Sequence, residues 1–184
     1  SEGWTARLGE DRTLACSAVV LATGAETGPD GLAPDVRSCL DLIEPIRGQI
    51  GSIPDGRMDA VLRDASGYVF PCASGTGFGA TMQAGRRDRA VDPADSVSLI
   101  RNAEILAGQP IDPSAIEWKV GIRGATPDGL PMAGRLDHHG LWAALAPRRN
   151  GWLLGPLVAR IVADGIETRP ADTDTARLDL LRLF

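Results

Sequence analysis

Apolar positions along the chain fall in short runs broken by glycine, proline and acidic residues, the spacing of strands and turns more than of long helices. Residues 14–22 (LACSAVVLA) are small and β-branched and end at Thr23-Gly24, which predicts one buried strand closing in a tight turn. The Gly, Pro and Asp of residues 26–37 predict a loop with at most a short helical turn. Residues 44–53 (EPIRGQIGSI) set Ile46, Ile50 and Ile53 around glycines and predict a strand, bulged at Gly48. Residues 60–63, 67–71 and 77–82 predict three short strands of an antiparallel meander. Asp92-Pro93 opens a helix over 95–106, with Val97, Ile100 and Ile105 near one face and Gly108 just past its end. Residues 116–122 and 141–145 predict further strands. Gly155-Pro156 predicts the start of a helix reaching Asp164, because proline is tolerated in the first turn and Gly165 can close the end. Residues 172–181 predict a last short helix.

The order of these elements lets the first and last parts share a layer that the middle interrupts with an inserted sheet. Composition agrees with a folded chain: of 184 residues, 43% are hydrophobic and 23% charged. The formal net charge of -5 argues against a generally basic nucleic-acid-binding surface. No apolar run reaches the roughly 18–20 residues of a membrane span, since the stretch from Trp152 to Ile166 is interrupted by Pro156, Arg160 and Asp164. Cys16, Cys39 and Cys72 are far apart and odd in number, which is neither a disulfide framework nor a zinc signature. With a start, Ser-Glu-Gly-Trp, that lacks the character of a signal peptide, they suit a cytoplasmic protein. The two histidines, His138 and His139, are adjacent, so no metal-ligand set is expected.

Three glycine-containing segments are candidates for chemistry. Gly75-Thr76-Gly77-Phe78-Gly79-Ala80 fits G-x-G-x-x-A, but residues 81–88 read as a strand end and a turn. A dinucleotide fingerprint needs a helix there, so the segment is read as a hairpin. Arg123 precedes a Gly- and Pro-rich stretch running to Gly134. It is either a solvated arginine before a connecting loop or a fork that takes a carboxylate in two parallel hydrogen bonds. The run Arg148-Arg149-Asn150-Gly151-Trp152-Leu153-Leu154 leads into an apolar helix. It is either an ordinary start of a buried helix or a place where unpaired N–H groups face an anion or an electron-rich ring.

Taken together these pieces resemble the C-terminal half of the flavin-dependent amine oxidases of the D-amino-acid-oxidase superfamily. Four blocks carry the resemblance in the family's order: Val19-Val20-Leu21-Ala22-Thr23-Gly24-Ala25, Pro45-Ile46-Arg47-Gly48-Gln49-Ile50, Gly121 through Gly134, and Leu141 through Ile166. Gly79-Ala80-Thr81-Met82 and the closing Leu178-Asp179-Leu180-Leu181-Arg182 are weaker matches. Within the superfamily the blocks are similar to those of glycine oxidase and of the oxidase half of the bifunctional tRNA wobble-uridine modification enzyme. The resemblance implies an α+β fold of α/β derivation, an antiparallel or mixed substrate-binding sheet inserted into the C-terminal remnant of a Rossmann-like FAD-binding domain. Residues 1–43 and 123–184 would belong to the FAD domain, the latter with a flavin-facing helix, and residues 44–122 would form the substrate sheet.

It further implies an FAD-dependent amine oxidoreductase that breaks the C–N bond of a carboxylated amine by hydride transfer to flavin. That amine would be an amino acid or a carboxymethylaminomethyl-uridine in tRNA. Arg123 would hold the substrate carboxylate. Arg149, Asn150, Gly151, Trp152, Leu153 and Leu154 would line the pyrimidine side of the flavin. Thr23 and Gly24 would sit near the adenosine half, and Gly48 and Gln49 near the ring. Two departures qualify the match. The family's G-x-G-x-x-G with its acidic ribose partner is absent, so a missing N-terminal half or partner subunit is expected, the chain alone being an inactive fragment. Ala146-Pro147 stands where many members have Gly-His or Gly-Ser. The alternatives are a non-catalytic substrate-binding subunit or degenerate paralogue of the same fold, and a tRNA-binding module resting on Arg86-Arg87-Asp88-Arg89 and Arg148-Arg149, which the net charge does not favour.

Overall fold

The computed structural model describes residues 3–26, 28–170 and 178–183, without the side chain of Leu181. The chain is a mixed α+β structure that divides into two compact units, Ser1–Pro45 with Arg123–Phe184, and Ile46–Ile122.

The first unit opens with an antiparallel hairpin of β1 (Trp4–Leu8) and β2 (Arg12–Cys16), followed by β3 (Val19–Leu21) and α1 (Pro34–Asp41). The single buried strand expected over 14–22 is therefore two strands. Leu14 is half exposed on β2, and only Leu21 of β3 is fully buried. The break falls at Ser17, whose carbonyl lies so close to Gly140 that a Cβ there would stand 2.3 Å from it. Beyond the break the chain leaves the hairpin, and the Val19 N–H donates to the Gly140 carbonyl at 2.9 Å. The loop expected over 26–37 contains the start of α1, which opens at Pro34 and buries Val36 and Leu40, one helical turn apart.

The chain passes along β4 (Glu44–Pro54) into the second unit. There β5 (Leu62–Arg63), β6 (Tyr68–Cys72) and β7 (Gly75–Gly79) form the expected antiparallel meander, and β8 (Gln83–Ala84) completes the order β5-β6-β7-β4-β8. The G-x-G-x-x-A run is thus mostly strand, with no helix after it until residue 93. Glycines here make room for rings in two places: a Cβ on Gly77 of the run would meet Phe70 at 2.4 Å, and one on Gly51, in the facing strand, would meet Phe78 at 2.3 Å. Phe78 is fully buried and stands edge-on to Trp118, ring centroids 5.7 Å apart.

Helix α2 (Pro93–Ala107) starts and stops where expected. The Asp92 carboxylate accepts from the Ala94 and Asp95 N–H groups, and Gly108 ends it with φ 66°. Its buried face differs from the expected one. Leu99 and Ala103 pack against Val69 and Phe78, with Ile100 and Leu106 beside them, while Val97 and Ile105 are exposed. At about 100° per residue, 97 and 105 lie on the far side of the helix from 99 and 103.

Strand β9 (Glu117–Ala125) returns the chain to the first unit. There β10 (Met132–Arg135) and β11 (Leu141–Leu145) pair antiparallel, and β11 pairs parallel with β3. β10 occupies the end of a segment expected to be loop. Helix α3 (Gly151–Ile166) begins four residues before the expected Gly155, and Pro156 lies inside it. The proline leaves the Trp152 carbonyl without a helical N–H, which is tolerated because both residues are exposed. The core of this unit gathers Leu21, Val36, Leu40, Ile43, Met132, Leu141, Leu145 and Leu180. Of the expected helix over 172–181, residues 172–177 lie outside the described residues, and a 3₁₀ turn covers Leu180–Leu183. No described helix is long and apolar enough to cross a membrane.

Candidate functional site

The first unit brings three of the predicted segments together around Gly124. A Cβ there would stand 2.9 Å from Ile43 Cγ2, 3.0 Å from the Gly24 carbonyl oxygen and 3.4 Å from the Ala146 Cα, so only glycine fits. The Gly124 carbonyl accepts from the Arg148 N–H at 3.2 Å, and Ala125 bridges Pro147. The half-buried Arg123 at the end of β9 is therefore one residue from a knot that joins the Thr23-Gly24 turn to the loop entering α3. In that turn, Gly24 has φ 72°, and the Glu26 N–H donates to the Thr23 carbonyl at 3.3 Å.

The loop from β11 to α3 is held in an uncommon backbone. Ala146 and Arg148 have φ of 54° and 51°, the left-handed region that disfavours side chains. Ala146 is also where the resemblance puts glycine. Asn150 closes the loop: its N–H donates to the Pro147 carbonyl at 2.9 Å, and its own carbonyl accepts from Leu153 and Leu154 at 3.1 and 2.7 Å. No side chain caps α3, and its first turn holds no acidic residue. Its positive end is thus uncompensated by its own side chains. Arg149 and Asn150 are exposed there, Gly151 and Leu154 are half-buried, and Trp152 and Leu153 are 101% and 76% exposed.

A second arrangement in this unit was missed by sequence reasoning. Arg182, read only as part of a weak closing match, has a side chain 15% exposed. Its Nε donates to Asp128 Oδ2 at 2.8 Å, and its other nitrogens donate to the carbonyls of Leu130 (3.1 Å), Pro131 (2.7 Å), Leu178 (2.7 Å) and Asp179 (3.0 Å). The guanidinium, helped by the Leu130 N–H and the Thr126 hydroxyl, holds the Asp128 carboxyl down at about 2 against the opposing effect of burial.

Gly48 and Gln49 lie in the second unit, on the central strand β4. Gln49 is fully buried and its amide is spent on protein. Its Oε1 accepts from the Asp92 N–H at 2.8 Å and from Arg47 at 3.2 Å, and its Nε2 donates to Ser96 Oγ at 2.8 Å and the Asp92 carbonyl at 3.2 Å. Arg47, between the two halves of the quoted motif, has no solvent exposure. It donates to Gln83 Oε1 at 2.6 Å and to the Ala90 carbonyl, and pairs with Asp88 and Asp95 at 3.2 Å each. Arg86, first of the candidate tRNA-binding cations, is engaged by Asp88 at 2.9 Å and Asp92 at 3.4 Å. The Arg86 hydrogen bond lowers the Asp88 carboxyl, whereas Asp92 is lowered first by the helix N–H groups that it caps.

Comparison with known proteins decides the family. The family model described as FAD dependent oxidoreductase (DAO) matches residues 1–165. The chain belongs to this family. It is 33% identical over 180 residues to glycine oxidase of Geobacillus kaustophilus, covering 92% of this chain and 46% of the relative. It is 29% identical over 222 residues to the tRNA 5-methylaminomethyl-2-thiouridine biosynthesis bifunctional protein MnmC of Chromohalobacter salexigens, covering 98% of this chain and 31% of the relative. The solved structure of the Geobacillus kaustophilus glycine oxidase superposes with a TM-score of 0.70 at 29% identity, over 91% of this chain and 46% of that one. This member of the family therefore spans less than half the length of both relatives. The expected α+β fold is the family's, and its members depend on FAD. Among the described residues no cluster of His, Cys, Asp and Glu could hold a metal ion.

Proposed function

We propose that this chain is the part of an FAD-dependent amine oxidoreductase that fixes a substrate carboxylate and one edge of the flavin, its substrate being a small carboxylated amine. The observation that carries the reading is the knot at Gly124, which ties the strand end bearing Arg123 to the turn at Thr23-Gly24 and to the start of α3 through the 3.2 Å bond from Arg148.

The residues fit the cofactor. The start of α3 offers about half a positive elementary charge, with no side-chain cap and no acid in its own first turn to offset it. Trp152 and Leu153 present exposed apolar surface that a flat ring would cover, with Arg149, Asn150, Gly151 and Leu154 completing the pyrimidine side. Thr23 and Gly24 would stand toward the adenosine half. In the second unit Gln49 would act as a brace, since its amide already binds Asp92 and Ser96. When bound, FAD would supply the redox chemistry by accepting hydride from the carbon that bears the amine.

The planar fork of Arg123 would take a carboxylate in two parallel bonds. Holding the substrate by that end orients its other end and contributes several kcal/mol, out of about 7–11 available from orientation. The positive end of α3 would stabilise negative charge arriving beside it. The first unit would thus serve the flavin and the second the substrate sheet. A carboxymethylaminomethyl group on a tRNA uridine is also a carboxylated amine, but the net charge of -5 and the ion pairs of Arg86 favour a free amino acid.

The test uses the whole FAD-loaded protein without oxygen. Glycine should bleach the flavin's visible absorbance, whereas methylamine at the same concentration should leave it unchanged. Equal bleaching by both, or by neither, would refute the reading.

A further inference from the structure

We propose that Arg182 is a positioning residue for carboxylate recognition, holding through the loop 126–131 the strand end that carries Arg123. The inference rests on the role of Arg123 proposed above.

The loop is a closed turn built around Asp128. Its Oδ1 accepts from the Leu130 N–H at 3.1 Å and from the buried Thr126 hydroxyl at 2.9 Å, and the Gly129 N–H returns to the Thr126 carbonyl at 3.0 Å. Nothing in that inner ring ties the turn to its surroundings. Arg182 does so, gripping the carboxylate and the carbonyls of Leu130 and Pro131 with one side of its fork while the other side holds Leu178 and Asp179. The closing segment is itself anchored, since Leu178 and Leu180 are buried and Asp179 bridges Ala133 of β10. At its other end the loop runs into Ala125, which bridges Pro147, and Gly124, which is wedged under Gly24 and Ala146.

The backbone from Arg123 to Pro131 is thus pinned at both ends, at the far end by the pairing of Met132 with Leu145, and Arg182 fixes the turn between them. The loop also lies beside the entry to α3, because a Cβ on Gly129 would stand 3.4 Å from an Arg148 guanidinium nitrogen. Releasing Arg182 frees the turn next to the two groups assigned to substrate and cofactor, where a displacement of about 1 Å is enough to cost up to a hundredfold. Lysine keeps the charge but cannot reach the five partners with one ammonium. The same hydrogen bond from Arg182 is the largest cause of the lowered Asp128 carboxyl.

The experiment measures acetate, a carboxylate with no amine to oxidise, binding to the whole FAD-loaded protein by calorimetry and by the shift of the flavin spectrum. Arg182→Lys, Arg182→Ala and Asp128→Asn are compared with Arg123→Ala. Both Arg182 variants should weaken acetate by about tenfold with bound flavin retained, and Asp128→Asn by less. Arg182→Lys and Asp128→Asn keep the test decisive where Arg182→Ala does not fold. Wild-type affinity in these two variants, beside weak binding in Arg123→Ala, would overturn the role of Arg182 and leave that of Arg123 standing. Wild-type affinity in Arg123→Ala would overturn both.

Discussion

A guanidinium without solvent exposure needs counter-charges within reach, and Arg47 finds the partly buried Asp95 and the exposed Asp88 at 3.2 Å each. Replacing Arg47 by methionine takes a charged donor from Asp95, Asp88 and the Gln49 and Gln83 oxygens, although Asp88 keeps Arg86 and Gln49 keeps the Asp92 N–H, and should cost about 1–3 kcal/mol in denaturant unfolding. A loss under about 1 kcal/mol would mean that the network contributes little. Asp128 makes a pH-dependent prediction. Its carboxyl is lowered from 3.8 to about 2 in the folded chain, so the stabilisation is complete above 3.8 and is lost as pH falls towards 2. Asp128→Asn should therefore flatten stability across that window, as followed by circular dichroism during acid titration. These residues show where sequence reading stops. Within Pro45-Ile46-Arg47-Gly48-Gln49 the resemblance drew attention to Gly48 and Gln49, but the fully buried charge is Arg47. Arginine is rarely buried, and the partners that bury this one lie 36 and 48 residues away in Gln83 and Asp95, a proximity that only the sheet and α2 create.

At the scale of elements, legibility followed local signals. The ends of α2 were readable because Asp92-Pro93 and Gly108 are local stereochemistry. Its buried face was not, because Val97 and Ile105 are as apolar as Leu99, and only the position of Val69 and Phe78 decides which side is covered. The same contrast explains α3. Pro156 gives a strong start signal, yet the helix begins earlier, after Asn150, and the proline is carried on an exposed face. In the sheet, the glycines that mimic a dinucleotide loop make room for neighbours across the strands: Gly77 for the Phe70 ring, Gly79 for Ile50 and Gly75 for the Ile53 carbonyl. Gly51→Ala should cost about 1–3 kcal/mol, seen as a lower thermal midpoint, because the Phe78 ring that it would strike at 2.3 Å is buried against Trp118 and cannot swing away. An unchanged midpoint would show that the ring can move.

At the scale of the molecule, four short blocks in order identified the family where none would have done so alone, and the match over residues 1–165 bears this out. The candidate site was legible as residue types along the chain but not as a constellation, since Gly124, which joins its parts, carries no side chain to notice. The chain covers 31% and 46% of the two relatives, and its G-x-G-x-x-A run is strand. If, as proposed, the chain holds only one edge of the flavin, it should on its own show no micromolar FAD binding in a fluorescence titration, and tight binding would refute that expectation. The most direct measurement is the KM for glycine of the whole FAD-loaded protein with Arg123→Ala. If Arg123 fixes the substrate carboxylate, losing about 2–5 kcal/mol of charged hydrogen bonding raises KM at least about thirtyfold. A KM equal to that of the wild type would contradict the claim.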